Sequence, residues 1–321
     1  MISTAVTRTR DPRPDPGPRL ETVYRPRGAL SLGATVGVFQ RGPGDPAQTR
    51  DGAVLWRATR TPLGVATVAL RQQADGAVRA AAWGPGREWA IAQVPALCGA
   101  EDDPTGFDPS RHPLIADSHH RHPGLRLGRS DLVFDALVQS ITEQKVTAIQ
   151  AFAAWRRLVT WFGERAPGPA PKPMFAPPSI DGWRRIPSWA WHRAGLEPPQ
   201  SRTIVQAARR GASLVAAVER ATDGPARDAV LTSLPGIGPW TAAETRIRAL
   251  GDPDAVSVGD FHLAHQVGYA LTGRRVEDDG MLELLAPWAG QRQRAIRLIL
   301  ASGVSEPRRA PRLHPMDHRD R

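Results

Sequence analysis

LPGIGPWTA occupies residues 234–242 and indicates how the second half of the chain is built. Pro235 cannot continue a helix, whereas Pro239 suits a first helical turn, where its missing N–H costs nothing. The stretch therefore predicts two helices joined by a Gly-x-Gly hairpin. Gly236 and Gly238 can adopt φ > 0 and have no Cβ, so backbone N–H groups at the start of the second helix can approach a phosphate closely. Plain helix packing produces the same pattern and is the alternative interpretation.

A carboxylate, Asp260, follows the hairpin in the sequence. The intervening residues predict a helix from Trp240 to about Leu250, a Gly-Asp-Pro-Asp turn and a short extended segment, after which Asp260 opens the next helix. The side chain is thereby placed beside the anion-binding turn, at a helix N-terminus that favours its ionised form. Asp is also a preferred N-cap residue. A capping role is the alternative to a chemical one, and one side chain can serve both.

These two segments resemble the helix-hairpin-helix DNA glycosylases. LPGIGPWTA is similar to the hairpin of that superfamily, and VGDFHL at residues 258–263 is similar to the segment that carries its catalytic aspartate. The match is best with the alkylation-repair branch, the 3-methyladenine DNA glycosylase II type. The resemblance implies that Asp260 is the essential carboxylate and that the hairpin binds DNA. The DNA-binding residues implied there are Pro235, Gly236, Ile237, Gly238 and Thr241.

One departure from the superfamily concerns strand cleavage. Members that also cut the DNA strand carry a lysine nucleophile two residues after the second hairpin glycine, and Trp240 stands at that position here. The resemblance therefore implies a monofunctional glycosylase, with water as the nucleophile and no AP-lyase activity. Glycosylases for oxidised or deaminated bases are a further alternative, which the missing lysine disfavours.

The resemblance also implies a pocket for the expelled base. Trp240, Phe261 and Trp288 stand at or near the positions that line it in the alkylation-repair branch, and electron-rich rings bind a cationic purine by stacking and cation–π contact. Core packing is the alternative for each of the three. Glu244, one turn after Trp240, replaces a tyrosine of some relatives. Its carboxylate either contacts the base or faces solvent.

A third segment, residues 141–146, resembles the turn that enters the gap left by a flipped nucleotide. Gln144 matches the usual glutamine, while Lys145 stands where the alkylation-repair branch often has an apolar wedge. Apolar side chains replace lost base stacking best. Lys145 is therefore expected either to bind a flanking phosphate or simply to face solvent.

The pattern of apolar residues divides the chain. Short apolar or alternating runs at residues 52–59, 64–70 and 77–83, separated by Gly, Pro and Asp, predict a β-rich domain over residues 21–112. Residues 113–303 show helical periodicity. The fold class expected is α+β, in which a small N-terminal antiparallel β-sheet domain precedes an all-α helix-hairpin-helix glycosylase domain. Residues 1–20 and 304–321 are Pro- or charge-rich and are predicted to be disordered tails.

Composition limits the partners and cofactors. A formal net charge of +10 over 321 residues, carried almost wholly by arginine, suits double-stranded DNA, although a GC-rich genome also favours arginine. The single Cys98 cannot form an intrachain disulfide or supply the thiolates of an iron–sulfur cluster. We expect no cofactor or metal site, and we interpret the histidine-rich residues 117–122 as a surface linker. The resemblance implies that hairpin carbonyls can hold a monovalent cation.

The location is predicted from what the sequence lacks. It contains neither an apolar run of about 18 residues nor the apolar core of a signal peptide, so we expect a cytoplasmic, nucleoid-associated protein with no membrane partner. A glycosylase of this plan needs one chain, which predicts a monomer.

Two functions follow from these residues. The first is a monofunctional DNA glycosylase that hydrolyses the N-glycosidic bond of flipped-out alkylated purines, of 3-methyladenine type, in base excision repair. The alternative is a protein of the same fold that binds distorted or damaged DNA with weak or no catalysis. The position of Asp260 favours the enzyme, because a pure binder has no need of a carboxylate beside the DNA backbone.

Overall fold

The structure, a computed structural model, describes residues 18–307. Most of both predicted tails, residues 1–17 and 308–321, lies outside the described residues. The N-terminal boundary is earlier than predicted, because Arg19 and Leu20 already belong to a strand and pair with Trp83 and Ala82. Arg19 and Leu20 therefore belong to the sheet and not to the predicted tail.

The N-terminal half is a five-stranded antiparallel sheet with the strand order β1-β5-β4-β3-β2. The predicted runs fall in its three central strands. The strands are β1 (Arg19–Tyr24), β2 (Gln48–Asp51), β3 (Val54–Thr61), β4 (Gly64–Gln72) and β5 (Val78–Trp83).

Three short helices cover one face of this sheet. They are α1 (Leu32–Val36), α2 (Arg87–Ala92) and α3 (Val94–Leu97). Val36, Val68, Leu70 and Val94 are fully or almost fully buried between the two layers. The sheet therefore has its own core, as its alternation of apolar and polar residues predicts.

The opposite face of the sheet meets the helical half. Thr67 Oγ1 donates a hydrogen bond to the carbonyl oxygen of Pro167 at 2.5 Å, and Arg60 Nε donates to that of Pro177 at 2.9 Å. A two-stranded ribbon, β6 (Glu164–Arg165) and β7 (Phe175–Ala176), lies in this connecting region. The two halves are thus joined by polar as well as apolar contacts.

The remaining helices form the second half. They are α4 (Pro113–Arg121), α5 (Val133–Thr142), α6 (Ala148–Phe162), α7 (Ile180–Arg185), α8 (Ser188–Ala194), α9 (Pro198–Arg220), α10 (Gly224–Thr232), α11 (Pro239–Leu250), α12 (Leu263–Thr272), α13 (Asp278–Leu285) and α14 (Arg292–Ala301). Short 3₁₀ turns occupy Gly37–Phe39, Pro109–Arg111 and Ala286–Trp288.

The helices pack around two cores. The apolar faces of α5, α6, α8, α9 and α11 share one core, and those of α4, α12, α13 and α14 share the other. Phe134, Leu137, Val138 and Ile141 all lie in the first core, as their spacing predicts. The hairpin belongs to the first core and the helix after Asp260 to the second, so the candidate site lies where they meet.

The histidine-rich residues 117–122 do not form a linker. Most of them belong to α4, in which Ile115 and Ser118 are buried and Ser118 Oγ donates to the carbonyl oxygen of Leu298 at 2.7 Å. The ring of His122 bonds to the carbonyl oxygen of Ala301 at 3.1 Å. The polar composition of this stretch does not indicate a helix, because the helix packs through only a few apolar and small residues.

Within residues 18–307, no helix combines the length and the apolar character that crossing a bilayer requires.

Candidate active site

The hairpin predicted from LPGIGPWTA joins α10 to α11. Gly236 has φ +88, and a Cβ built there would overlap Thr203 Oγ1 of α9. Gly238, the N-cap of α11, has φ −99 and ψ −178, with open space where a Cβ would stand. Only Gly236 therefore uses the left-handed conformation that sequence reasoning allowed for both glycines. The side chain of Ile237 is buried in the first core and anchors the turn.

Gln144 braces the hairpin from the neighbouring turn. Its side-chain amide donates to the carbonyl oxygen of Gly236 at 2.9 Å and to Thr241 Oγ1 at 2.8 Å. Thr241 is itself buried, so its hydroxyl faces protein rather than an approaching ligand. Gln200 Nε2 in turn donates to the carbonyl oxygen of Gln144 at 2.8 Å. The structure thus brings the two predicted DNA-binding turns together and gives Gln144 and Thr241 a supporting role within them.

Lys145 lies at the tip of that neighbouring turn. Its side chain is exposed, and its φ is +54. Besides Lys145, only Asp131 among the non-glycine residues 18–307 has a positive φ. Such a conformation costs free energy of order 1 kcal/mol for a residue with a side chain. The turn therefore projects Lys145 away from the core at some cost in stability.

Asp260 accepts three hydrogen bonds. The backbone N–H groups of His262 and Leu263 donate to Oδ1 at 2.8 and 2.9 Å. The helix begins at Leu263 with His262 as its N-cap residue, so Asp260 lies just before α12 rather than opening it as the sequence predicted. Trp240 Nε1 donates to Oδ2 at 3.0 Å and fixes the carboxylate beside the first turn of α11. One side chain therefore binds the backbone at the start of α12 and lies next to the hairpin, and Oδ2 keeps a lone pair free of protein donors.

The predicted aromatic residues divide into two groups. Trp240 is half-buried beside Asp260, and Phe261 is 76% exposed, with the His262 ring edge-on at 4.8 Å between centroids. Trp288 is only 4% exposed, packs in the second helical core and donates its Nε1 hydrogen to the carbonyl oxygen of Asp108 at 2.8 Å. For Trp288 the structure thus gives the core-packing alternative, and we leave it out of the candidate pocket.

Glu244 neither faces solvent nor offers a free carboxylate. Its Oε1 accepts the hydroxyl hydrogen of Ser257, and its Oε2 forms an ion pair with Arg248 at 2.7 Å. The side chain is 18% exposed. Sequence reasoning missed Ser257 and Arg248 as parts of the site. The spacing of Glu244 and Arg248, four residues apart on one helix, is the signal that could have revealed the pair.

Two further charges complete this buried group. Arg248 also contacts Glu143 at 2.7 Å, and Glu143 contacts Arg41 of the N-terminal half at 2.8 Å. Burial alone would raise the pKa of Glu143, but Arg248 and Arg41 hold it below its ordinary value. Burial alone would lower the pKa of Arg248, but Glu143 and Glu244 hold it above its ordinary value. Glu143 and Arg248 therefore stay charged near neutral pH, and the charges of the buried group compensate one another.

No group of three or more His, Cys, Asp or Glu residues that could hold a metal ion occurs within residues 18–307. Cys98 is buried in the sheet core, and this burial raises the pKa of its thiol to about 12. A thiol with so little thiolate at neutral pH is a poor nucleophile and metal ligand.

Comparison with known proteins extends these observations. No protein-family model matches the chain. The DNA-3-methyladenine glycosylase of Bacillus subtilis is 28% identical over 180 residues, a match covering 55% of this chain and 59% of that protein. A probable bifunctional transcriptional activator/DNA repair enzyme AlkA of Mycobacterium tuberculosis is 28% identical over 158 residues, covering 49% of this chain and 30% of that protein. The chain thus spans less than two thirds of the length of each relative.

Solved structures match over more of the chain. A 3-methyladenine DNA-glycosylase from Archaeoglobus fulgidus superposes with a TM-score of 0.71 at 16% identity, covering 88% of this chain and 97% of that one. An 8-oxoguanine glycosylase/lyase from Clostridium acetobutylicum gives 0.68 at 13% identity, with coverages of 88% and 96%. The chain has the helix-hairpin-helix glycosylase fold.

The shared fold includes both halves of the chain. The superpositions extend over the N-terminal sheet as well as the helices, which confirms the α+β class expected from the sequence. The two curated relatives confirm the resemblance to the alkylation-repair branch. The fold is shared by that branch and the 8-oxoguanine enzymes, because structures of both kinds superpose with similar TM-scores, 0.71 and 0.68.

Proposed function

We propose that this chain is a monofunctional DNA glycosylase that hydrolyses the N-glycosidic bond of alkylated purines, of 3-methyladenine type, in double-stranded DNA. The observation that carries the proposal is the Asp260 carboxylate, fixed by Trp240 beside a hairpin whose Gly238 side is open. The name of one curated relative, a DNA-3-methyladenine glycosylase, supports the substrate class, and that of the other, a probable transcriptional activator/DNA repair enzyme, supports a role in DNA repair. The proposed partner is damaged duplex DNA, bound by a single chain, as the sequence leads us to expect.

The reaction begins with a nucleotide turned out of the duplex, because the N-glycosidic bond is unreachable within the stack. As the C1′–N bond breaks, its electron pair leaves with the base, and a cationic alkylated purine departs as a neutral molecule. Positive charge develops on the sugar, and the ionised Asp260 stabilises it. Water then forms the new bond to C1′ and loses its proton, with Asp260 Oδ2 as the nearby acceptor.

Trp240 and Phe261 are the side chains available to hold the base. Trp240 is fixed by its hydrogen bond to Asp260, and Phe261 is the next residue along the chain, with its ring exposed to solvent. Aromatic rings attract a cationic base by about 0.5 to 2 kcal/mol each. We propose that these two rings, without Trp288 or Glu244, form the base pocket.

The absence of AP-lyase activity is part of the proposal. A Schiff base with the sugar requires an amine, and the hairpin position that supplies it in strand-cutting enzymes holds Trp240. The chain contains two lysines, Lys145 and Lys172, and neither lies in the hairpin. We expect base release without cleavage of the resulting abasic strand.

The hairpin carbonyls fit the monovalent cation that the fold family implies. Those of Leu234 and Gly236 each accept one hydrogen bond, from the N–H of Ile237 and from Gln144. A carbonyl oxygen has two lone pairs, so each retains one for a cation. A cation bound there would add positive charge to the hairpin and so favour its contact with a DNA phosphate. No step of the hydrolysis requires the cation.

The test is single-turnover base release from duplex DNA that contains 3-methyladenine, with DNA binding measured in parallel. We expect the wild type to release the base, and Asp260→Asn to bind DNA with similar affinity while losing release by a factor of 100 or more, the scale of an electrostatic contribution to catalysis. Asp117→Asn, an exposed carboxyl paired with Arg121 on α4, is the matched control and should retain full activity. A wild type that binds damaged duplex but releases none of a panel of lesions would establish the non-catalytic binder instead.

A further inference from the structure

The loop that carries Asp260 is fastened on two sides. On one side the hydroxyl of Ser257 donates to Glu244 of α11, and on the other the backbone N–H of Gly259 donates to Asp278 Oδ2 of α13 at 2.9 Å. Within the loop, the N–H of Asp260 lies 3.3 Å from the carbonyl oxygen of Ser257. The position of the Asp260 backbone therefore depends on where Glu244 and Asp278 hold its neighbours.

Glu244 is in turn held by Arg248. One guanidinium nitrogen of Arg248 contacts both Glu244 Oε2 and Glu143 Oε2 at 2.7 Å, and the other terminal nitrogen donates to Ser140 Oγ at 2.7 Å. The side chains of Arg248 and Glu143 are 9% and 14% exposed. The two carboxylates thus share one buried cation and cannot be moved independently.

Glu143 lies directly before the turn formed by Gln144 and Lys145. The network therefore connects two parts of the site that are far apart in sequence, the turn that braces the hairpin and the loop that holds Asp260. Removing one member of a buried charge group leaves its partners uncompensated, so the rest of the group must rearrange. A change at Glu143 should reach the Asp260 loop through Arg248, although Glu143 does not touch that loop.

We propose that Glu244 is a positioning residue for Asp260, acting through the Ser257 hydroxyl, and that Glu143 acts on the same loop through Arg248. This inference rests on the proposed glycosylase function for its catalytic consequence but not for its structural one. Because the charge of Glu244 is already compensated by Arg248, Glu244 aligns the aspartate and does not attract the cationic base.

A double-mutant cycle tests the coupling. Single-turnover release of 3-methyladenine is compared for the wild type, Glu143→Gln, Glu244→Gln and the double variant, with DNA affinity and melting temperature measured on each. We expect Glu244→Gln to lower the release rate about 10- to 100-fold and Glu143→Gln about threefold to tenfold, with DNA affinity within about twofold of wild type. The double variant should be no slower than Glu244→Gln alone, because Glu143 reaches the loop only by way of Arg248 and Glu244. Multiplying effects, or an unchanged rate in Glu244→Gln, would overturn the proposal.

Ser257 provides a milder test of the same link. Ser257→Ala removes the hydroxyl without disturbing a charge and should lower the release rate as Glu244→Gln does, whereas Ser257→Thr retains the hydroxyl and should restore most of it. If Glu244 contacts the base instead, Ser257→Ala will have no effect, and Glu244→Gln will weaken substrate binding and not the rate.

Hydrogen exchange separates this inference from the proposed function. The N–H groups of His262 and Leu263 are protected by Asp260, so Glu244→Gln and Ser257→Ala should speed their exchange at least fivefold, while Asp117→Asn should not. If the wild type releases no base, the proposed function fails, but faster exchange in these variants still supports the positioning role. Unchanged exchange refutes it whatever the activity.

Discussion

Asp260 shows how one side chain can satisfy a helix and still be available for chemistry. Its Oδ1 is used by the backbone of α12, and its Oδ2 faces Trp240. The indole N–H is uncharged, so it holds the carboxylate without compensating its negative charge. An ammonium or guanidinium partner would compensate that charge. A carboxylate without a cationic partner can stabilise a developing positive charge more strongly.

Trp240 should therefore matter through its N–H as well as its ring. Trp240→Phe keeps an aromatic face but removes the hydrogen bond to Oδ2, so we expect base release to slow about tenfold, the cost of one lost hydrogen bond to a charged group. DNA affinity should change little. Single-turnover rates measured beside equilibrium binding check this. Equal losses in rate and affinity would show that Trp240 acts mainly by holding the nucleotide.

Lys145 gives a second prediction, because the sequence is consistent with either phosphate binding or simple exposure to solvent. If it contacts one phosphate, Lys145→Gln should weaken binding to all duplexes about equally and reduce the slope of log K against log salt concentration by about one. Titration of DNA at several salt concentrations measures that slope. An unchanged slope would leave Lys145 as an exposed residue that does not contact phosphate.

The hairpin between α10 and α11 is the element that the rest of the site is built on. Ile237 anchors it in the core, Gln144 braces it from the turn after α5, and Gly236 allows α9 to approach. Its two glycines differ in their environments. Gly236 is left-handed and crowded by Thr203, whereas Gly238 is extended and open.

This difference predicts unequal effects of the same substitution. Gly236→Ala combines an unfavourable φ with a steric overlap, so it should lower the free energy of unfolding by about 1 to 3 kcal/mol. It should also weaken DNA binding. Gly238→Ala is the matched control. It should leave stability within about 0.5 kcal/mol of wild type. Chemical denaturation and DNA titration of both variants test this, and equal stability of the two would contradict the proposed strain at Gly236.

The whole molecule depends on buried charge where its two halves meet. Trp155 of α6 donates its Nε1 hydrogen to Asp45 Oδ1 at 3.1 Å, and Arg41 reaches Glu143. Asp135 of α5 lies near Arg57 and Arg60 of β3, but burial outweighs their charge and raises the pKa of Asp135 to about 7. This carboxyl is therefore partly protonated at neutral pH in the folded chain.

Asp135 gives a pH prediction whose sign follows from proton linkage. In the unfolded chain an aspartate has a pKa of about 4, so between about pH 4 and pH 7 the folded state binds more protons, and the free energy of unfolding falls as pH rises. Asp135→Asn should remove this penalty. We expect it to stabilise the protein at pH 8, by at most about 4 kcal/mol, and to have little effect near pH 4.

Denaturant unfolding at the two pH values measures the effect. Asp117→Asn is a suitable control, since the hydrogen bond from Arg121 lowers the pKa of Asp117 and its ionised form is favoured. It should show no gain in stability at pH 8. A loss of stability in Asp135→Asn at pH 8 would mean that the attraction between Asp135 and Arg57 outweighs the cost of burial.

The sequence by itself determined the hairpin, the place of Asp260, the buried face of α5 and the three central strands. These features depend on local causes: proline and glycine end and start helices, and apolar residues repeat with the period of one element. The tertiary structure alone decided that Trp288 packs in the core, that residues 117–121 are helical, and that Glu244 binds Ser257 and Arg248. The contacts of Trp288 with Asp108, of Ser118 with Leu298 and of Glu244 with Ser257 join separate elements, so they exist only after the helices have packed. Glu244 and Arg248 are the exception, because they lie one turn apart on α11.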